Sequence, residues 1–142
     1  MNDSIKILLI EDNPADARLI DIYLKESYKS HYSLSVVDLL SKGLDLLNTD
    51  DFDIIIIDLS LPDSSGIDTF KDVFAAADKK PVMVLTGLED ESVGINTVKL
   101  GAQDFLIKGK LRASAARQRP VLRRAVPFGQ RRAPVRRSSS PI

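Results

Sequence analysis

The 142-residue chain is expected to fold as a doubly wound α/β protein, a three-layer αβα sandwich built on one five-stranded parallel sheet. Three observations predict this class. Short apolar runs alternate with stretches of helical periodicity over residues 1–110. The apolar runs are continuous, as in strands that are covered on both faces. The intervening stretches have the spacing of the crossover helices that connect parallel strands.

The predicted strands are short and mostly rich in isoleucine, leucine and valine. They are Ile5–Ile10, Tyr32–Val37, Phe52–Ile57, Pro81–Leu85 and Gln103–Ile107. The third is the most apolar segment of the chain, with four consecutive isoleucines, and Asp58 follows it directly. Acidic side chains are disfavoured in strands and are seldom buried. Asp58 is therefore a candidate functional residue.

Helical periodicity and capping residues predict the helices between these strands. They span Pro14 to about Tyr28, Leu39–Leu47, Gly66 to about Ala77, and Glu89–Leu100. Asn13 is expected to cap the first helix, because its side chain can accept hydrogen bonds from the first turn. Ser64 or Ser65 is expected to cap the third helix, whose inward side chains would include Phe70 and Phe74.

Charge divides the chain into two parts of different composition. Residues 1–110 hold all 20 acidic residues against 11 basic ones, a net charge of −9, whereas residues 111–142 hold nine arginines and no acid. We expect residues 1–110 to be the folded domain. The remainder is expected to be a basic, arginine- and proline-rich tail that is disordered, or that results from a shifted reading frame or an altered chain end. A short fifth helix over about 111–119, with Leu111 inward, is compatible with its sequence.

Composition excludes several classes of protein. The chain has no cysteine, so it has neither disulfides nor a thiolate metal site. The first apolar run, at residues 5–10, is too short for a signal peptide or a membrane span. The nucleotide-binding patterns GxGxxG and GxxxxGKS/T do not occur. We therefore expect a cytoplasmic protein that does not bind nucleotides through such loops.

Polar side chains follow four of the five predicted strands. Glu11 and Asp12 follow the first, Asp58 the third, Thr86 the fourth and Lys108 the fifth. Because the carboxyl ends of parallel strands meet at one edge of the sheet, we expect these side chains to lie close together. Neighbouring carboxylates repel one another unless a cation joins them, and oxygen ligands suit magnesium or a similar hard cation. The set predicts a pocket for a metal ion and a phosphoryl group, with one carboxylate as the nucleophile.

Four segments together resemble the response regulator receiver domains of the CheY-like type. They are "LLIEDN", "IIIIDLSLPDSSGID", "VMVLTG" and "GAQDFLIKG", in this order. The resemblance covers residues 1 to about 110, and it implies the strand order 2-1-3-4-5 and a part in two-component signalling. Two positions differ from the pattern, because Gly87 stands where receivers often have alanine and Gly109 where they commonly have proline.

The resemblance also implies roles for the acidic residues of the pocket. Asp58 would be the phosphoacceptor. Glu11 and Asp12 would be the acidic pair at a magnesium or manganese ion. Asp12, Asp58 and the backbone carbonyl of Ser60 would be direct ligands of that ion.

The remaining implied roles concern phosphotransfer and signalling. Thr86 and Lys108 would contact the phosphoryl oxygens, and Phe105 would change rotamer when Thr86 moves toward them. The donor would be a phosphohistidine on a sensor histidine kinase or phosphotransfer protein. The domain would be a signalling module rather than an enzyme, although it would catalyse its own phosphorylation and autodephosphorylation. The effector or output domain and a homodimer stay open, and neither a membrane nor nucleic acid is an expected partner of the receiver.

Three other functions fit part of the pattern. A receiver-like interaction module that is never phosphorylated would be expected to lack an acid, the threonine or the lysine, and none is missing. A haloacid-dehalogenase-like phosphatase also uses an aspartate at a strand end with magnesium, but it needs a second acid two residues later, where this chain has Ser60. The arginine-rich tail alone suggests nonspecific binding to nucleic acid. The only histidine, His31, is assigned no role.

Overall fold

The computed structural model describes residues 4–29 and 31–113. The main sheet contains five parallel strands. These are β1 (Ile5–Ile10), β2 (Tyr32–Val37), β3 (Ile54–Asp58), β4 (Val82–Thr86) and β5 (Asp104–Ile107). Their order across the sheet is β2-β1-β3-β4-β5. The predicted fold class and the strand order implied by the resemblance are therefore confirmed.

Five helices lie within the described residues. They are α1 (Pro14–Tyr28), α2 (Leu40–Thr49), α3 (Ile67–Ala77), α4 (Glu91–Lys99) and α5 (Lys108–Ala113). A 3-10 turn at Leu88–Asp90 leads into α4, and a two-stranded antiparallel hairpin of Ser60–Leu61 and Ser64–Ser65 lies between β3 and α3. None of the helices in this part of the chain is both long and apolar enough to cross a membrane.

Apolar side chains form one core on each face of the sheet. Successive strand residues point to opposite faces, so Ile7 and Leu9 of β1 pack in the core that includes residues of α1 and α5, whereas Leu8 and Ile10 pack in the core that includes residues of α2 and α3. All four isoleucines of β3 are fully buried. The continuous apolar run of β3 thus reflects helices on both faces of the sheet, as in other parallel sheets.

Asn13 caps α1, as the sequence predicts. Its Oδ1 accepts hydrogen bonds from the backbone N–H groups of Ala15 at 2.8 Å and of Asp16 at 3.1 Å. Pro14 occupies the first turn, where a missing N–H costs nothing because that group has no partner within the helix. The helix therefore begins directly after Glu11, Asp12 and the cap residue Asn13, which follow β1.

Two predictions for α3 are wrong. Neither Ser64 nor Ser65 caps the helix, because pairing in the hairpin holds both in extended backbone and Gly66, with a φ of +80°, takes the cap position. Phe74 does not point into the core. It is 39% exposed and stacks on Phe70, with ring centroids 5.2 Å apart, at the margin of the buried face.

The starts of the last two helices also differ from prediction. Glu89 and Asp90 belong to the 3-10 turn, and α4 begins only at Glu91. The fifth helix begins at Lys108 rather than Leu111, since the chain turns into α5 directly at the end of β5. Leu111 is buried, as predicted. The predicted continuation to residue 119 and the basic tail lie outside the described residues.

The cap of α2 comes from a distant part of the chain. Leu39, at the cap position, makes no side-chain bond to the helix. Instead Asp63 accepts hydrogen bonds from the backbone N–H groups of Leu40 at 2.8 Å and of Ser41 at 3.0 Å. These N–H groups stabilise the carboxylate and lower the pKa of Asp63 below its ordinary value. Asp63 lies 23 positions from Leu40, so no local pattern of the sequence reveals this contact.

Replacing Gly43 of α2 with alanine is expected to destabilise the domain. The new Cβ would lie 2.8 Å from Cγ1 of Ile10, which is fully buried. Overpacking costs about 1–3 kcal/mol and the gain in helix propensity is about 1 kcal/mol, so we expect a net loss of up to about 2 kcal/mol in urea denaturation. Asn48→Ala, an exposed change on the same helix, should stay within about 0.5 kcal/mol of the wild type. A Gly43→Ala protein as stable as the wild type would contradict the packing argument.

Candidate functional site

The site lies at the carboxyl edge of the sheet, where the strand order reverses. At this point β1 and β3 are neighbours in the sheet. The chain leaves them in opposite directions, from β1 to β2 on one side and from β3 to β4 on the other. The register pairs Ile10 of β1 with Ile57 of β3, so the next residues, Glu11 and Asp58, emerge side by side. The topology thus brings acids from two strand ends together, as the sequence predicted.

Three carboxylates form one cluster at this edge. Glu11, Asp12 and Asp58 each offer an oxygen, and these oxygens lie within 4.8 Å of one another. Glu11 and Asp58 are 2% and 3% exposed, whereas Asp12 is open to solvent. An all-oxygen set with one open side suits a hard divalent cation that keeps some of its water. The residues therefore fit magnesium or manganese.

Lys108, in the first turn of α5, contacts three acids at once. Its Nζ lies 3.0 Å from Oε1 of Glu11, 2.9 Å from Oδ2 of Asp16 and 3.1 Å from Oδ2 of Asp58. The contacts with Asp16 and Asp58 are hydrogen bonds, whereas the contact with Glu11 is an ion pair, since Oε1 of Glu11 has no hydrogen-bond partner among the described residues. The Lys108 side chain is 21% exposed, which places this charge at the mouth of the cluster.

The pKa values of the cluster reflect its crowding. Burial and, to a smaller extent, the charge of Asp58 raise the pKa of Glu11 to about 7, against the lowering effect of Lys108 and of the hydrogen bond from the backbone N–H of Asn13. Burial tends to lower the pKa of Lys108, but its contacts with the carboxylates of Asp16, Glu11 and Asp58 outweigh burial, so this pKa lies above its ordinary value. Lys108 therefore stays protonated, whereas burial and the nearby charge of Asp58 favour the neutral form of Glu11.

The Asp58 carboxylate is held by a donor on each oxygen. Oδ2 accepts from Lys108, and Oδ1 accepts from the backbone N–H of Ser60 at 3.1 Å. Two donors and a fully buried strand hold this carboxylate in a fixed orientation. Ser60 is thus linked to Asp58 through its N–H, and ligation through its carbonyl stays a prediction.

Thr86 and Phe105 occupy the next two strands. Asp58 pairs with Leu85, so Thr86 follows at the same edge, and Phe105 lies diagonally from Thr86 on the same face of the sheet. The Thr86 hydroxyl is buried and has no hydrogen-bond partner among the described residues. An unpartnered buried hydroxyl is a cost that a ligand oxygen could remove. Its proposed contact with a phosphoryl group stays a prediction.

The Phe105 ring lies on a glycine of α4. A Cβ added at Gly94 would come within 2.5 Å of Cδ2 of Phe105, so only glycine leaves room for the ring in this position. Phe105 is half-buried, and its side chain packs at the border of the core. The contact with Gly94 thus sets the position of the ring on α4. The change of rotamer stays a prediction.

Comparison with known proteins gives the family. The model of the response regulator receiver domain family matches residues 7–115. This chain belongs to that family.

Two curated relatives are similar to this chain in sequence, and one solved structure is similar to it in fold. The cell cycle transcriptional regulator CtrA of Caulobacter vibrioides is 36% identical over 104 residues, which are 73% of this chain and 44% of that protein. The cell cycle response regulator CtrA of Brucella ovis is 33% identical over 104 residues, with the same shares of the two chains, 73% and 44%. A receiver domain protein from Clostridium thermocellum has the same fold, with a TM-score of 0.67 at 23% identity over 86% of this chain and 94% of that one. The chain spans less than half the length of the CtrA relatives.

Asp16 is the site residue that the sequence did not reveal. It lies in the first turn of α1, where its backbone N–H donates to Oδ1 of the cap residue Asn13. Its carboxylate accepts a hydrogen bond from Nζ of Lys108. Acids in the first turn of a helix are common because they interact with the helix dipole. A role at the site therefore gives no sequence signal, since Asp16 and Lys108 are 92 positions apart.

Removing the ammonium of Lys108 is expected to destabilise the metal-free receiver domain. In Lys108→Met, the carboxylates of Glu11 and Asp58 lose a shared positive charge and Asp58 also loses a hydrogen bond, so we expect a loss of about 1–3 kcal/mol in urea denaturation in the presence of EDTA. Lys110→Met is the control, because Lys110 lies on the same helix and is exposed. An equal effect of the two substitutions would show that the acids do not depend on this cation.

Proposed function

We propose that this receiver domain accepts a phosphoryl group on Asp58 from a phosphohistidine of a sensor histidine kinase or phosphotransfer protein. The observation that carries the proposal is the state of the Asp58 carboxylate. It is 3% exposed, lies within the acidic cluster and accepts hydrogen bonds from Lys108 and Ser60. A carboxylate so fixed at a strand end is suited to in-line attack on a bound phosphorus.

In the transfer step, an oxygen of Asp58 forms a bond to phosphorus as the bond between phosphorus and the histidine nitrogen breaks. The leaving imidazole keeps the electron pair and takes one proton from solvent. The product is an acyl phosphate, and its hydrolysis by water returns inorganic phosphate and free Asp58. Lys108 stabilises the charge on the phosphoryl oxygens, since its ammonium already lies 3.1 Å from Oδ2 of Asp58.

Asp12, Asp58 and the backbone carbonyl of Ser60 would hold a magnesium or manganese ion, and Glu11 would complete the acidic pair. The bound ion would neutralise charge on the transferred phosphoryl oxygens. The repulsion among the three carboxylates supports this assignment, because a divalent cation relieves it. Asp12 is the exposed member and leaves the site accessible from solvent.

Thr86 and Phe105 would transmit the phosphorylated state. The Thr86 hydroxyl would donate to a phosphoryl oxygen, and Phe105 would move from its place on Gly94 into the space that Thr86 leaves. The two arrangements form a population that phosphorylation shifts. The surface of α4, β5 and α5 would change with them and present the signal to an effector or output domain. The proposal also places the domain in the cytoplasm, together with its phosphodonor.

Phosphorylation can be tested with the small donor acetyl phosphate in the presence of Mg²⁺. Intact-mass spectrometry should detect one added phosphoryl group in the wild type and none in Asp58→Asn, because the amide cannot act as the nucleophile. Asp72→Asn, an exposed aspartate of α3, is the control and should be labelled like the wild type. Beryllofluoride, a mimic of the phosphoryl group, should bind with the same dependence on Asp58. Undiminished labelling of Asp58→Asn would reject the assignment.

Metal binding can be tested without any phosphodonor. Mg²⁺ at about ten times its dissociation constant should raise the free energy of unfolding by about 1.4 kcal/mol, because it binds the folded state only. Asp12→Asn should lose most of this increase in thermal denaturation, whereas Asp45→Asn, an exposed change on α2, should keep it. If Mg²⁺ stabilises wild type and Asp12→Asn alike, the ion binds elsewhere.

A further inference from the structure

Asp63 attaches the segment after Asp58 to the start of α2. It lies in the turn of the hairpin, between Leu61 and Ser64, and both of its carboxylate oxygens accept backbone N–H groups of α2 at 2.8 and 3.0 Å. The helix has no side-chain cap at its own cap position, Leu39. Each side therefore depends on the other, since α2 takes its cap from the hairpin and the hairpin tip is fixed to α2.

A continuous set of bonds leads from this hairpin to the phosphorylation site. Ser60 pairs with Ser65 in the hairpin, and the N–H of Gly66 donates to the carbonyl of Leu59 at 2.8 Å. The N–H of Ser60 in turn donates to Oδ1 of Asp58. The conformation of the hairpin thus determines where the peptide at Ser60 stands relative to Asp58.

The hairpin needs such an attachment because it is small. Each of its strands has two residues, and isolated two-stranded hairpins are marginal in water even when they are longer. Leu61 anchors one strand in the core, where it is 7% exposed, and the Ser64 hydroxyl bonds Thr69 of α3 at 2.5 Å. Asp63 supplies the attachment on the opposite side, to α2.

We propose that Asp63 is a positioning residue of the phosphorylation site, which fixes Ser60, and through it the Asp58 carboxylate and the metal ligands, by holding the hairpin tip on α2. The inference rests on the proposed function as far as the metal ion is concerned. Its physical basis is that residues behind the ligands set ligand orientation, and metal affinity falls when they are removed. A consequence is that the metal ion and the cap of α2 stabilise each other.

The positioning role can be measured in the metal-free 142-residue protein by amide hydrogen exchange. Asp63→Ala should raise the exchange rates of Ser60 and Gly66 relative to that of Ile56, a buried residue of β3 in the same sample. Asp63→Asn should give an intermediate ratio, because its single amide oxygen can replace only part of the carboxylate. Leu47→Ala is the control, since it weakens the packing of α2 away from its cap and should leave the ratio unchanged.

The same variants can be titrated with Mg²⁺ by calorimetry. Asp63→Ala should bind Mg²⁺ about tenfold more weakly than the wild type, as is typical for residues that orient metal ligands, whereas Leu47→Ala should stay within about twofold. A structural role alone would lower stability in both variants and leave their Mg²⁺ affinities equal.

The outcomes separate this inference from the proposed function. If Asp63→Ala changes neither the exchange ratio nor the Mg²⁺ affinity, Asp63 is not a positioning residue. If the exchange ratio changes and the affinity does not, Asp63 holds the hairpin without positioning the ligands, and the inference is equally overturned. If the wild type itself binds no Mg²⁺, the proposed function fails at its metal site, and the positioning of metal ligands fails with it.

Discussion

The balance between one ammonium and several carboxylates is the constraint on which this receiver domain depends. Glu11 and Asp58 are buried, and both lie beside the ammonium of Lys108, which also contacts Asp16. Buried charges of one sign are costly unless they are paired. Because Lys108 stands in the first turn of α5, the start of that helix is part of the site's electrostatics.

The sheet holds the carboxylates of this crowded cluster in position. β3 is buried on both faces and pairs with β1 and β4, so the acid at its end is carried by a rigid support. The side chains around this acid are held less completely. Thr86 has a hydroxyl without a partner in the described part of the chain, and the Phe105 ring rests on Gly94 rather than in a closed core. The domain thus combines a rigidly held acid with less complete packing around Thr86 and Phe105.

The fold and the main site residues could be predicted because their signals are local or positional. Four consecutive isoleucines indicate a strand covered on both faces, and Asn13 with Pro14 indicates the start of α1. Parallel strands bring their carboxyl ends to one edge, so Glu11, Asp12 and Asp58 could be grouped before any distance was known. The errors at Ser64, Ser65 and Phe74 arose where hairpin pairing and the margin of the core overruled local preference.

The sequence by itself determined the succession of strands and helices along the chain and the set of acids at the edge of the sheet. Periodicity and strand polarity depend on residues near one another in the chain. Only the tertiary structure decided that Asp16 shares Lys108 with the cluster and that Asp63 caps α2. These contacts join residues 92 and 23 positions apart. Aspartates in a first helical turn or in a tight turn are common for local reasons, so their partners depend on how the elements pack, which no local pattern records.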